Sequence, residues 1–368
     1  MYNQSMSSEG PSEQENPANS DGGSQQGEME DRIKNSRLYK NDLQLADKVP
    51  LIYSSGYNIG FMGLEKLHPF DSGKWGRIRD FLVTEKVIKE ESIVQPEEAT
   101  DEDLLVVHTP EYLKSLKSGS TVATIIEVPP VALLPNYIIR RQILQPFRKQ
   151  VGGTILAGKL AKERSWAINL GGGFHHCCGT KGGGFCVYAD ITLCIQFAFS
   201  KLGLSKVMII DLDAHQGNGH ERDFKDDRRV YILDMYNSQI YPFDEEAKER
   251  IDQKVELRSG TTNDAYLMEL TKQLKKAKGK FKPDLILYNA GTDILDGDPL
   301  GRLRISPAGI SERDEEVFKF AREVEAPIVM VTSGGYMKSS ARVIADSIKN
   351  LVDKKLISIE AISASSSL

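Results

Sequence analysis

The stretch "IIDLDAHQGNGHERDF", residues 209–224, decides how the rest of the chain is read. It continues an apolar run that starts at Val207 and Met208, the kind of run that forms a strand covered on both faces. Its character then changes. Asp211 and Asp213 alternate at the strand's end, His215 follows two residues later, and a turn rich in glycine and amide closes the segment. Unpaired buried charge is costly, so such groups are normally paired or bound to a metal.

Similar runs recur on either side. Residues 51–53, 104–108, 166–170, 207–213, 230–235, 285–290 and 328–333 read as strands. Residues 141–164, 190–202, 264–280, 311–324 and 338–351 read as helices. This alternation predicts right-handed βαβ crossovers and a single α/β domain, a mostly parallel β-sheet flanked by helices on both faces. No internal repeat and no Pro/Gly linker divides the chain beyond residue 45, so one folded domain is expected over 45–355, with a flexible C-terminal tail over 356–368. Residues 1–40 are expected to form a disordered acidic and polar tail. The first 31 contain no Leu, Ile, Val, Phe or Trp, and carry seven acidic and no basic side chains.

The whole chain has a net charge of −5, so the part beyond that tail is nearly neutral and gives no electrostatic reason for direct nucleic-acid binding. No leading apolar run resembles a signal peptide, and no stretch approaches the ~18 apolar residues of a membrane span. Without an export signal the Asn3-Gln4-Ser5 acceptor pattern carries no weight, and the ending Ser366-Ser367-Leu368 lacks the basic residue of a peroxisomal address. An intracellular protein is expected, in the nucleus, the cytoplasm or both. Cys177, Cys178, Cys186 and Cys194 form no pair of CxxC knuckles and read as reduced thiols.

In parallel sheets ligands collect beyond the carboxyl ends of the strands. Those ends are where the polar chemistry lies. "GGGFHHC" follows the strand at 166–170 and carries His175 and His176; "GTDILDGDP" follows 285–290 and carries Asp293; "GGYMKS" follows 328–333 and carries Tyr336. Asp213, His215 and Asp293 supply the donor set of a catalytic zinc, which keeps three protein ligands and one open position. His175 and His176 are adjacent, so only an irregular glycine-led loop can aim both at one pocket. An imidazole titrates near neutral pH, which suits general-acid and general-base work, and Asp211 and Asn218 are candidates to orient the two rings. Tyr336 offers a hydroxyl donor for an oxyanion. Neither "GGGFHH" nor "GTKGGGF" matches a phosphate-binding glycine loop. His68 and His108 read as structural.

At these residues the chain resembles the zinc-dependent histone deacetylases of the arginase/deacetylase fold superfamily, over roughly residues 48–352. The motifs are GGGFHHC, GGGFC, DLDAHQGNG, NAGTDIL and SGGY, in that order. "FMGLEKLHPFDSGKWG" and "DLDAHQGNGHERDF" make it similar to the class IV (histone deacetylase 11-like) branch. The resemblance implies that Asp213, His215 and Asp293 hold one Zn2+ per chain. His176 would be the general base, with His175, backed by Asp211, its electrostatic or acid partner. Gly173 would offer a backbone carbonyl to the substrate amide, Phe185 and Tyr241 would flank an acyl-lysine tunnel, and Leu300 would stand at its rim.

The resemblance further implies two structural K+ or Na+ ions. One would be held by Asp211, the carbonyls of Asp213 and His215, and Asp234 with Met235. The other would be held by carbonyls near Phe224, Asp227 and Val230. Class I members have Asp where Asn218 stands and His where Gln216 stands, departures that bear on rate and pH profile. The implied function is hydrolytic removal of acetyl or longer fatty acyl groups from lysine side chains of histones or other proteins. The partners are those acyl-lysine substrates and a multiprotein complex, as for a chromatin regulator. Two other classes are weighed against it: an arginase-type hydrolase of a small amide or guanidino substrate, and an acyl-lysine binding module with little turnover.

Overall fold

The computed structural model describes residues 21–39, 45, 47–60, 63, 71 and 73–359. His68, Asn3 and the last residues, 366–368, lie outside them.

Seven strands form one sheet: β1 Leu51–Ile52, β2 Trp166–Asn169, β3 Val207–Asp211, β4 Val230–Asn237, β5 Gln253–Leu257, β6 Leu285–Asn289 and β7 Ile328–Val331. Their order is β1-β2-β7-β6-β3-β4-β5 and every pairing is parallel. The described helices are α1 Asp21–Asn35, α2 Lys74–Thr84, α3 Asp101–Leu104, α4 Pro110–Ser115, α5 Gly119–Ile125, α6 Asn136–Ile139, α7 Gln145–Arg164, α8 Asp190–Leu202, α9 Asn218–Asp223, α10 Glu245–Lys248, α11 Asn263–Lys278, α12 Pro307–Glu323 and α13 Ser340–Asp353. The strands β2, β3, β4, β6 and β7 are buried along their whole length, which is why they read as unbroken apolar runs.

Sheet order explains the clustering of the motifs. The strands that carry them, β2, β7, β6 and β3, are consecutive neighbours in a parallel sheet, so their carboxyl ends emerge side by side. Register sharpens this: Asp211 pairs with Asn289, and Asn289 with Val331.

Four sequence expectations change. Residues 104–108 are no strand: Thr100 and Asp103 form a capping box that starts α3, and the segment continues as turns. β5 went unread because it is an edge strand whose alternate residues are exposed, so "QKVEL" lacks an apolar run. The stretch expected to be tail contains α1. Its Ile33 and the following Leu38 are buried, and Arg32 bonds Glu102 at 2.9 Å. Two apolar residues and an ion pair are too weak a sequence signal to stand out against the polar composition around them. At the other end Ile357 is buried, so packing extends past residue 355.

Candidate active site

The loop after β2 turns on Gly172 (φ 77°) and Gly173 (φ 85°), in the left-handed region that glycine enters without penalty. Asp190, buried at the start of α8, fixes the turn: its carboxylate accepts the Gly173 and Phe174 N–H groups at 2.8 Å and the Thr154 hydroxyl at 2.6 Å. His108 braces the outgoing arm. Its Nδ1–H donates to Gly179 O (3.3 Å) and its Nε2 accepts from Ala189 N–H (3.0 Å), so it is structural, as expected.

So held, the loop aims both histidines into one pocket, their rings 4.2 Å apart. His175 Nδ1–H donates to Asp211 Oδ2 at 3.0 Å, and His176 Nδ1–H to Asn218 Oδ1 at 2.9 Å. The two partners differ in charge, and the rings differ accordingly. Burial opposes charge on both. For His175 the Asp211 and Asp213 carboxylates outweigh it and hold the pKa up to about 9. For His176 burial wins, reinforced by His175 and His215, and the pKa falls well below the ordinary imidazole value. The two rings are thus biased in opposite directions, His175 toward the protonated form and His176 toward the neutral one.

Beside them Asp213, His215 and Asp293 bring ligand atoms within 4.8 Å of one another. His215 Nδ1 lies 2.8 Å from Asp293 Oδ2 and 3.1 Å from Asp213 Oδ1. Each carboxylate is anchored from behind: Asp213 Oδ2 accepts from Gly334 N–H (2.9 Å) and Ser333 Oγ–H (3.0 Å), and Asp293 Oδ1 from Ala214 N–H (2.9 Å). Burial and neighbouring Asp213 push Asp293 up to about 7. Burial opposes charge on His215, yet its bonds to the two carboxylates hold its pKa up to about 10. Two buried carboxylates around one imidazole retain a proton where a cation would satisfy them better. The donor set, one imidazole and two carboxylates with outer bonds fixing their orientation, fits zinc.

Tyr336 closes the site from β7, its ring 6.1 Å from that of His215. Burial and the carboxylates of Asp293 and Asp213 keep its phenol well above the ordinary pKa, hence protonated. Its loop is clamped from two sides. Asp298 accepts the Tyr336 N–H at 2.9 Å, and Lys74, fully buried at the start of α2, donates to the Ser333 and Gly334 carbonyls. Sequence reading missed Lys74 and Asp298. A lysine at the start of an amphipathic helix signals nothing until the helix is docked.

His176, Gly184 and Tyr336 line both an inner cavity and an outer mouth of about 350 Å3. Phe185 lines the inner cavity, while Tyr241 and Leu300 line the mouth. Gly173 lines the inner cavity. Its carbonyl accepts from His175 N–H (2.9 Å), and Ser333 Oγ, 3.0 Å away, has one proton to share between this carbonyl and Asp213 Oδ2. Gly184 lines that cavity too, and a Cβ there would lie 2.5 Å from His176 Cδ2.

The two implied monovalent sites fare differently. Asp211, His220 and Asp234 converge within 4.8 Å, and buried Asp234 Oδ1 has no hydrogen-bond partner, so the first site fits a cation. His220, which the sequence reading passed over, donates to Asp211 Oδ2 at 2.8 Å, the same oxygen that holds His175. The second site does not fit. The carbonyls of Phe224, Asp227 and Val230 all accept hydrogen bonds from the guanidinium of Arg250.

Comparison with known proteins bears on this geometry. The family model described as histone deacetylase domain matches residues 68–352. The chain belongs to the histone deacetylase family. Histone deacetylase 2 of Arabidopsis thaliana is 65% identical over 327 residues, covering 89% of this chain and 84% of that protein. An uncharacterized protein of Picosynechococcus sp. is 30% identical, covering 79% and 93%. Among solved structures, the HD domain of HDA15 superposes with a TM-score of 0.66 at 20% identity, covering 83% of this chain and 88% of that one. An HDAC homologue complexed with SAHA gives 0.65 at 24% identity, covering 84% of each. Both share the fold, a parallel sheet flanked by helices. As a histone deacetylase family member the chain is a hydrolase that deacetylates lysine. No described helix is long and apolar enough to cross a membrane.

Proposed function

We propose that this chain is a zinc-dependent lysine deacylase of the class IV branch, with 45–355 as the core of its catalytic domain. The observation that carries the proposal is the Asp213–His215–Asp293 cluster beside two imidazoles held by partners of different charge, Asp211 and Asn218. When bound, zinc supplies Lewis acidity for the acyl carbonyl and the attacking water. His176, kept neutral and held by Asn218, takes the water proton. Tyr336 donates its hydroxyl to the developing oxyanion, and protonated His175, backed by Asp211, delivers a proton to the departing lysine amine. The products are free lysine and a carboxylic acid.

The identity to Arabidopsis histone deacetylase 2 supports acyl-lysine proteins as substrates, and a nuclear or cytoplasmic site of action follows from such substrates. Membership of a multiprotein complex and one monovalent ion at Asp211 and Asp234 belong to the same proposal. A panel of lysine peptides bearing acyl groups from acetyl to myristoyl, assayed with zinc-loaded protein, tests it. Turnover on at least one chain length is expected, and Tyr336→Phe should lower kcat ~10²-fold with zinc content unchanged. No hydrolysis of any member, with zinc bound, would leave only an acyl-lysine binding module.

A further inference from the structure

We infer that Arg250 is a built-in replacement for the second monovalent cation of the fold, so that this chain holds at most one such ion. Arg250 lies between α10 and β5 and is buried. Its Nε–H donates to Phe224 O at 2.5 Å, one Nη2–H to Asp227 O at 3.0 Å and another to Val230 O. Those carbonyls come from the end of α9, the following turn, and the start of β4, spaced three residues apart along a chain that coils about the guanidinium. Asp227 N–H bonds Phe224 O, and Val230 N–H bonds Asp227 O. Nη1–H donates to Asp252 Oδ2 at 2.7 Å, and that oxygen also accepts from Ile232 N–H at 2.8 Å.

The arrangement gives three converging carbonyls what an alkali ion would give them, a positive charge in contact with each oxygen. It also brings a carboxylate to balance that charge, and its cation cannot dissociate. A free ion and the guanidinium exclude each other, because both require the same oxygens and carry the same sign. The consequence reaches the catalytic pair. α9 runs from Asn218, which holds His176, to Asp223, and Phe224 caps its end, so Arg250 fixes the far end of the helix that positions His176.

The test reads ion binding and stability, and so stands apart from the reading of the active site. In the zinc-loaded full chain, Arg250→Ala should lower the melting temperature by about 5 °C or more in choline chloride. Replacing choline with potassium at constant ionic strength should restore at least half of that loss. The wild type, answering only through the Asp211–Asp234 site, should gain less than the variant does. Equal responses of wild type and variant to potassium would overturn the inference. Should the variant not fold, anomalous scattering from rubidium-soaked wild-type crystals decides: an ion at the Phe224, Asp227 and Val230 carbonyls contradicts it, and none there supports it.

Discussion

At the scale of single residues, the pair His175 and His176 shows how much a partner's charge determines. The carboxylates of Asp211 and Asp213 pull the His175 pKa up, whereas His176, facing the neutral Asn218, is held down by burial and by His175 and His215. Asn218 in turn donates from Nδ2 to Asp244 Oδ2 at 3.0 Å, and Arg222 bonds the same carboxylate. Asn218→Asp would place a negative charge against His176 and stabilise its protonated form. His176 would then lose its base function at higher pH, so the acidic limb of kcat/KM should move to higher pH, since that limb reports the free enzyme's essential base. An unmoved limb, or one shifted to lower pH, would mean that another group is the base. The proposed zinc donors, both histidines, Asp211, Asn218 and Tyr336 were all legible as site candidates, since each stands at a strand end among glycines. Lys74, His220, Asp298 and Arg250 were not. Their roles come from burial against distant backbone, and a lone charged residue in sequence does not reveal what will cover it.

At the scale of elements, the loop from Gly171 to Ala189 and helix α1 carry separate predictions. His108 ties that loop through both ring nitrogens, and burial lowers its pKa to about 4, below the ~6.5 of an unfolded chain. A group whose neutral form is favoured in the fold contributes fully above the unfolded pKa. That contribution, on the order of a few kcal/mol, is lost as pH falls from about 6.5 toward about 4. Denaturant unfolding across that range should show a steeper acid loss for wild type than for His108→Gln, and parallel curves would refute the assignment. α1 buries Ile33 and leads into buried Leu38, with Lys201 Nζ donating to Ser36 O at 3.1 Å. Burying each aliphatic side chain is worth ~1.5–3 kcal/mol. Truncation of residues 2–38 should therefore lower the melting temperature by several degrees, whereas a shift under one degree would show that α1 contributes nothing. The long parallel-sheet strands were readable because burial on both faces leaves an apolar run. β5 and α1 were not, because an edge strand and a helix docked on few residues keep a polar composition.

At the scale of the whole molecule, strand order does the assembling. Because β2, β7, β6 and β3 are neighbours, four loops far apart in sequence deliver the two histidines, the three proposed zinc donors and Tyr336 to one edge of the sheet. The sequence allowed the parallel sheet to be foreseen, but its order depends on crossovers that no single segment encodes. The account rests on one zinc at Asp213, His215 and Asp293 acting on acyl-lysine. The most direct test is stepwise return of zinc to chelator-stripped protein while hydrolysis of an acyl-lysine peptide is followed. Turnover should be absent without metal, rise linearly and level off at one zinc per chain. Turnover that persists without metal, or that needs two equivalents, would contradict it.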